Sequence, residues 1–326
     1  MEANVGLETR AGIRLAWLVA ALAVLLPGVA PAAPRTPVII AADPGDDIDD
    51  AYAIAWALRA PELDVRAIVT SFGDTRLRDR MVRRMVATLG RRDVPIGHGV
   101  ATKPATVFTQ QAWAEAAPAI GRGHDGIALA LKAIRRAPGR VTLLALAPLT
   151  DVATMIARDP ATFGRLKAVL VMGGSIRRGY GQGDDGPVNP VPSAEYNAAQ
   201  DPAGLRALIA SGVPVTLFPL DSTQIKFDRG RQDRLFGSGA AAGTMLAALT
   251  TEWRRNNPWK QPTPTLFDAV PVAAAIDPAA CPTTPLRIAV DDRGYTREEP
   301  GPANIRVCFA SDAAPILDRM VRDLAG

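Results

Sequence analysis

The sequence predicts a three-layer α/β/α domain built on a mostly parallel, open sheet. Two observations carry that expectation. Short β-branched or leucine-rich runs alternate with helical patterns along most of the chain. The strand runs are continuously apolar, as strands covered by helices on both faces must be. Residues 37–42, 63–70, 141–146, 166–172 and 213–220 read as buried strands. Residues 51–60, 76–89, 149–158 and 202–210 read as helices. After Ile276 the pattern changes. Residues 285–290 and 304–309 read as a two-stranded C-terminal β-hairpin, followed by a closing helix over 314–324. The whole is Rossmann-like, and such sheets bind ligands outside the carboxyl ends of their strands. The loops after Ala42, Thr70, Leu146 and Met172 should therefore converge. Residues 180–193, rich in Gly, Pro and Asp, read as a long loop over that point.

The N-terminus has its own logic. Arg10 and Arg14 precede an apolar run over 15–29, which ends in Ala30-Pro31-Ala32-Ala33. A basic head, a short apolar core and a small-residue exit make an export signal, cut after Ala32 or Ala33. The run is too short for a membrane span and is interrupted by Pro27. Residues 1–33 are thus expected to be a signal peptide and 34–326 one catalytic-sized domain. The processed protein should be periplasmic or secreted, with no stable membrane association.

The chain has 37 Lys and Arg against 33 Asp and Glu, a net charge of +4. Arg76, Arg78, Arg80, Arg83 and Arg84 fall on one expected helix and read as a solvated face. No aromatic stripe accompanies them, which argues against nucleic-acid binding. Cys281 and Cys308 flank the expected hairpin, and export would let them form a disulfide. With only His98 and His124 beside them, they fit no usual zinc spacing.

Chemistry concentrates at strand ends. Asp43-Pro44-Gly45-Asp46-Asp47-Ile48-Asp49-Asp50 follows the first strand, just where a helix begins. One or two aspartates would serve as an N-terminal cap. Five repel one another unless a cation sits among them, and hard oxygen donors in a loop favour calcium. Ser71-Phe72-Gly73-Asp74 follows the second strand. Asn189 and Glu195-Tyr196-Asn197 offer donors and acceptors suited to several hydroxyls on one small ring. Phe267-Asp268 precedes an apolar helix.

Taken in order, these motifs resemble the inosine–uridine-preferring nucleoside hydrolase family. The marks are Asp43-Pro44-Gly45 with Asp49-Asp50-Ala51-Tyr52-Ala53-Ile54, residues 68–74, residues 144–150, Val171-Met172-Gly173-Gly174 and Ala194-Glu195-Tyr196-Asn197. The resemblance runs from Pro37 to the C-terminus. It implies a calcium-dependent hydrolase of the N-glycosidic bond of nucleosides, working as a homodimer or homotetramer. It implies that Asp43, Asp50, the Leu146 carbonyl and Asp268 hold Ca2+, and that Asp43 is also the catalytic base. Asp49, Asp74, Asn189, Glu195 and Asn197 would bind the ribose. The first loop is two residues longer than the common family form, so the roles of Asp46, Asp47, Asp49 and Asp50 stay open. Phe267 stands where many members carry a histidine, which leaves the leaving-group donor open among His124, Trp253, Asn257 and Trp259. The alternative from another class is a calcium-dependent nucleoside- or ribose-binding protein without turnover.

Overall fold

The computed structural model describes residues 1–2, 34–181 and 188–326, so residues 3–33 of the expected export signal and residues 182–187 of the long loop lie outside the described part. Ten strands are present among the described residues: β1 (Thr36–Ala42), β2 (Leu63–Thr70), β3 (Ile96–His98), β4 (Thr142–Ala145), β5 (Ala168–Met172), β6 (Val215–Phe218), β7 (Thr283–Leu286), β8 (Ile288–Val290), β9 (Thr296–Glu298) and β10 (Ile305–Cys308). Eight of them form one sheet in the order β3-β2-β1-β4-β5-β6-β10-β7. Every pair in it is parallel except β7 with β10.

The alternation of side chains along β1 shows why helices cover both faces. Val38, Ile40 and Ala42 pack into one apolar cluster, with the helices Asp49–Arg59, Thr75–Thr88, Ala241–Asn256, Ala269–Ile276 and Ala313–Ala325. Ile39 and Ala41 point the other way, toward the helices Gly126–Arg136, Thr150–Arg158 and Pro202–Ala210. Successive strand residues alternate faces, so an apolar run with no polar alternation needs two cores. This is the three-layer α/β/α architecture the pattern predicts. Among the described residues no helix is long and apolar enough to cross a membrane.

The chain builds outward from β1 to β2 and β3, then returns to lay β4 on the other flank of β1. That reversal splays the loops after β1 and β4 apart and opens a crevice at their carboxyl ends.

The expected C-terminal antiparallel pair is present, but as part of the main sheet. β7 and β10 do pair antiparallel, with Pro285 opposite Arg306. However, β10 also pairs in parallel with β6, so the two strands end the main sheet instead of standing apart. The chain leaves the sheet after Leu286, and β8 pairs with β9 as a separate ribbon. Gly294, at φ +83°, makes the turn between them. Pro285 has no N–H for a further partner, and the edge strand is where that lack is harmless. Because β7 starts at Thr283, Cys281 comes within reach of Cys308. The two form the expected disulfide with Cα atoms 5.8 Å apart.

Candidate active site

Each acidic residue reaches the crevice by a different local device. The turn after β1 needs Gly45, whose φ is +127° and whose missing side chain would collide with the Phe108 ring. The turn delivers Asp43 and Asp46 and leads into the helix Asp49–Arg59, whose first turn carries Asp49 and Asp50. Asp268 arrives from the far end of the chain. The helix behind it, Ala269–Ile276, is almost wholly apolar and packs against Asp49–Arg59. One carboxylate oxygen from each of Asp49, Asp50 and Asp268 lies within 4.8 Å of the others. Asp43 adjoins this triple, its backbone N–H donating to Asp50 Oδ1 at 3.1 Å.

All these groups are buried. Burial, then repulsion from their neighbours, pushes Asp49, Asp50 and Asp268 well above the usual carboxylate range. Asp43 is pushed up to about 7, chiefly by burial and against the pull of Arg78. Asp47 rises to about 6, again by burial. Desolvated carboxylates held this close are unstable as a set of free anions. They make a fit donor set for a hard divalent cation, which wants several oxygen ligands. The triple includes Asp49, which the resemblance assigns to the sugar, so Asp49 stands close enough to serve either partner.

The positive charge in the centre is Arg78, and here the reading of a solvated arginine face fails. Arg78 is 1% exposed. Its Nη2 meets Asp46 Oδ2 at 2.9 Å and stands 4.0 Å from Asp43 Oδ2. Its Nε donates to the Phe72 carbonyl at 2.9 Å, and its Nη1 donates to the carbonyls of Pro44, at 3.0 Å, and Asp43. The Phe108 ring lies against it at 5.3 Å. One guanidinium thus ties the loop after β1 to the loop after β2, using the planar fork that suits several acceptors at once. The other arginines of that helix are partly occupied too. Arg80 donates to the carbonyls of Glu115 and Ala117, and Arg84 to that of Trp113.

The crevice encloses about 420 Å³, the size of a small-ligand pocket. Its acidic floor is lined by Asp43, Asp46, Asp47, Asp49, Asp50 and Asp268, and one wall by Leu146, Met172, Glu195 and Asn197. Asn197 Nδ2 donates to the Leu146 carbonyl at 3.1 Å and the Met172 carbonyl at 3.2 Å, tying the ends of β4 and β5 together. The Glu195 carboxylate accepts from the N–H groups of Gly174, Asn197 and Ala198 and so caps the helix Tyr196–Gln200. Thr106, Tyr180, Tyr196, Trp259, Gln261 and Phe267 also contribute to the lining. Tyr180 sits edge-on to Phe267, with ring centres 6.3 Å apart.

Two expected sugar ligands lie elsewhere. Asp74 is exposed and caps the helix Thr75–Thr88, accepting from the N–H groups of Arg76 and Leu77. Asn189 folds the long loop, accepting from Val191 N at 3.0 Å and donating to the Tyr180 carbonyl at 3.4 Å. Neither lines the cavity. Of the four leaving-group candidates only Trp259 does. Trp253 is core, Asn257 caps the helix Ala241–Asn256 through the Trp253 carbonyl, and His124 lies beside β3. Thr106, Tyr180 and Gln261 were missed. They are ordinary polar residues in loops, with no local signal beyond their place in the fold.

A buried oxygen-donor cluster at the switch point of a parallel α/β sheet, opening into a crevice of small-ligand size, defines a class: a three-layer α/β protein with a metal-competent acidic centre. Comparison narrows it. Residues 38–318 match the family "Inosine-uridine preferring nucleoside hydrolase", and the chain belongs to that family. It is a hydrolase acting on N-glycosyl bonds. The pyrimidine-specific ribonucleoside hydrolase RihA of Citrobacter koseri is 30% identical over 282 residues, covering 80% of this chain and 86% of that protein. Among solved structures, the plant nucleoside hydrolase PpNRh1 superposes with a TM-score of 0.75 at 24% identity, covering 90% of this chain and 100% of that one. A purine-preferring ribonucleoside hydrolase from Gardnerella vaginalis gives 0.74 at 21% identity, covering 89% and 98%. At these identities the structural matches speak to the fold.

Proposed function

We propose that this protein hydrolyses the N-glycosidic bond of ribonucleosides to free base and ribose, with calcium in the acidic centre. The observation that carries this reading is the convergence of buried carboxylates from β1, the helix after it and Asp268 on one nucleoside-sized cavity. Asp43, Asp50 and Asp268 with the Leu146 carbonyl would hold the ion, and Asp49 is placed to join them. When bound, calcium supplies Lewis-acid activation of water and an anchor for sugar oxygens.

The chain's own residues do the rest. Asp43, whose backbone is fixed beside Asp50 and by Arg78, takes the proton from the attacking water. Arg78 holds the Asp43 backbone in place through the Asp43 and Pro44 carbonyls. Glu195 and Asn197, fixed by the hydrogen bonds above, face the sugar hydroxyls. The surrounding carboxylates stabilise the positive charge that develops on the ribose as the base departs. The base leaves toward Trp259, Phe267 and Tyr180, whose rings can stack on it.

The compartment belongs to the same proposal. The basic-apolar-small N-terminal pattern and the Cys281–Cys308 bridge both favour a periplasmic or secreted protein. The decisive test is release of ribose from a panel of purine and pyrimidine ribonucleosides, with and without a chelator. The expected result is turnover that chelation abolishes and calcium restores. No ribose from any ribonucleoside at saturating calcium would refute the activity. Undiminished turnover in protein shown by elemental analysis to be metal-free would refute the metal.

A further inference from the structure

Tyr180 stands on the long loop after β5, and the described part of that loop is tied down around it. Its backbone N–H donates to Ser193 Oγ at 3.2 Å, and its carbonyl accepts from Asn189 Nδ2 at 3.4 Å. On either side, the Gly181 N–H donates to Gln224 Oε1 at 2.7 Å and the Gly179 carbonyl accepts from Gln224 Nε2 at 3.1 Å. Three consecutive residues are thus anchored by Ser193, Asn189 and Gln224. Long loops inside compact domains are kept mostly where they serve a site, and here the anchored residue is the one that enters the cavity.

The side chain is fixed at both ends. Its ring packs edge-on against Phe267, with centres 6.3 Å apart. Its oxygen accepts the Tyr196 backbone N–H at 2.9 Å. Phe267, Tyr196 and Tyr180 all line the cavity. Tyr180 is 37% exposed, so a ligand in the cavity can approach it. A phenol both accepts and donates. The bond from Tyr196 occupies a lone pair and leaves the proton, for which no acceptor stands among the described residues.

The two contacts also say which part of a substrate the hydroxyl would meet. The ring lies on the aromatic side of the cavity, with Phe267 and Trp259. The hydroxyl reaches the start of the helix Tyr196–Gln200, beside Glu195 and Asn197 on the sugar side. It therefore stands where the base wall meets the sugar wall, which is where the bond between base and ribose has to lie. Trp259 is the other proton-bearing ring on the aromatic side, but it is 46% exposed and water competes for its N–H. Phe267 has no proton to give.

We infer that Tyr180 is a further catalytic residue, its hydroxyl donating a hydrogen bond to the base as the N-glycosidic bond breaks. The electron pair of that bond goes to the base, and the hydrogen bond stabilises the charge gathered there. The phenol keeps its own proton, and the departed base takes one from water. The inference rests on the proposed nucleoside hydrolysis and deepens it by assigning the group that assists the leaving base.

The test sets one substitution against the need for that assistance. Tyr180→Phe removes the hydroxyl and keeps the ring against Phe267. Wild type and variant are assayed on a ribonucleoside, on its 5′-deoxy analogue, and on two ribosides whose leaving groups need no help. These are nicotinamide riboside, whose base departs neutral, and p-nitrophenyl riboside, whose phenolate is already stable. The expected result is a loss of kcat of about 10- to 100-fold on the ribonucleoside, the worth of a hydrogen bond to a charged group. The same loss should appear on the 5′-deoxy analogue and shrink to about threefold or less on the two activated ribosides. An equal loss on all four substrates would mean a structural role only, through the unpaired Tyr196 N–H. A loss that vanished on the 5′-deoxy analogue alone would place the hydroxyl on the sugar, and no loss anywhere would mean it touches nothing. Each of these three results overturns the inference while leaving the hydrolase reading intact. A wild type that releases ribose from none of the four substrates would instead end that reading, and the inference with it.

Discussion

Replacing Arg78 with methionine should destabilise the protein more than almost any other single change near the cavity. The side chain is 1% exposed and the methionine roughly fills its apolar length, so the loss is electrostatic. Asp46, with 9% of its side chain exposed, would be left buried without its counter-charge, and the carbonyls of Phe72, Asp43 and Pro44 would lose their donor. Removing one partner of a buried ion pair costs about 3–5 kcal/mol. For a folded domain of this length the unfolding entropy is roughly 0.6 kcal/mol per degree, so Tm should fall by about 5–8 °C. Urea denaturation in chelator, followed by tryptophan fluorescence and circular dichroism, measures the free-energy change directly. Arg78→Lys should fall between, since an ammonium can meet Asp46 but cannot span three carbonyls. Adding Asp46→Asn to Arg78→Met should recover about 1–2 kcal/mol, because the uncompensated charge is gone. A loss under 1 kcal/mol for Arg78→Met, or no recovery in the double variant, would refute the hub.

Three other outcomes are expected. Asp43→Asn should lower kcat by about 100-fold or more while nucleoside affinity measured by calorimetry changes little, because a base is lost and a shape kept; near-normal turnover would move the base elsewhere. Asp151 is buried and held at about 6, against an ordinary 3.8, despite donation from Ser71 Oγ and the Val100 N–H. The native state therefore binds this proton more tightly than the unfolded chain does, and stability falls as pH rises from about 4 to about 6. Asp151→Asn should gain on wild type by about 3 kcal/mol across that window in denaturant titrations, and a pH-independent difference would contradict this. Replacing Cys281 and Cys308 together by serine should cost about 2–4 kcal/mol and leave turnover intact, since the bridge closes the β7 edge of the sheet and lines no part of the cavity; two free thiols in a non-reduced digest of exported protein would show the bridge absent.

The fold was legible because its signals are local. Residues 38–42 are apolar at every position, and the helix over Pro202–Ala210 matches its expected bounds. The acidic floor was legible too, since five aspartates in eight residues demand a partner. What escaped depends on contacts between distant segments. Arg78 looks like its four neighbours in sequence, and only the packing of Thr75–Thr88 against the loop after β1 turns it inward. Asp74 and Asn189 fall inside family motifs, yet each is consumed by a backbone group two or three residues away. The antiparallel pairing of β7 with β10 was legible, whereas the parallel joining of β10 to β6 depends on a distant strand and was not.

The route by which Asp268 meets Asp49 and Asp50 has a kinetic meaning. Asp43 comes from the first strand of the domain, Asp268 from the last quarter of the chain. The helix Ala313–Ala325 then locks against Asp49–Arg59, with Trp56 donating to Asp323 at 2.8 Å and Arg319 reaching Glu62 at 2.7 Å. Contacts between segments so far apart close the largest loops and form slowly. A chain in which the segment carrying Asp268 has not yet packed against the helix Asp49–Arg59 cannot assemble the three-carboxylate cluster. Formation of the centre is therefore a late, long-range event in folding.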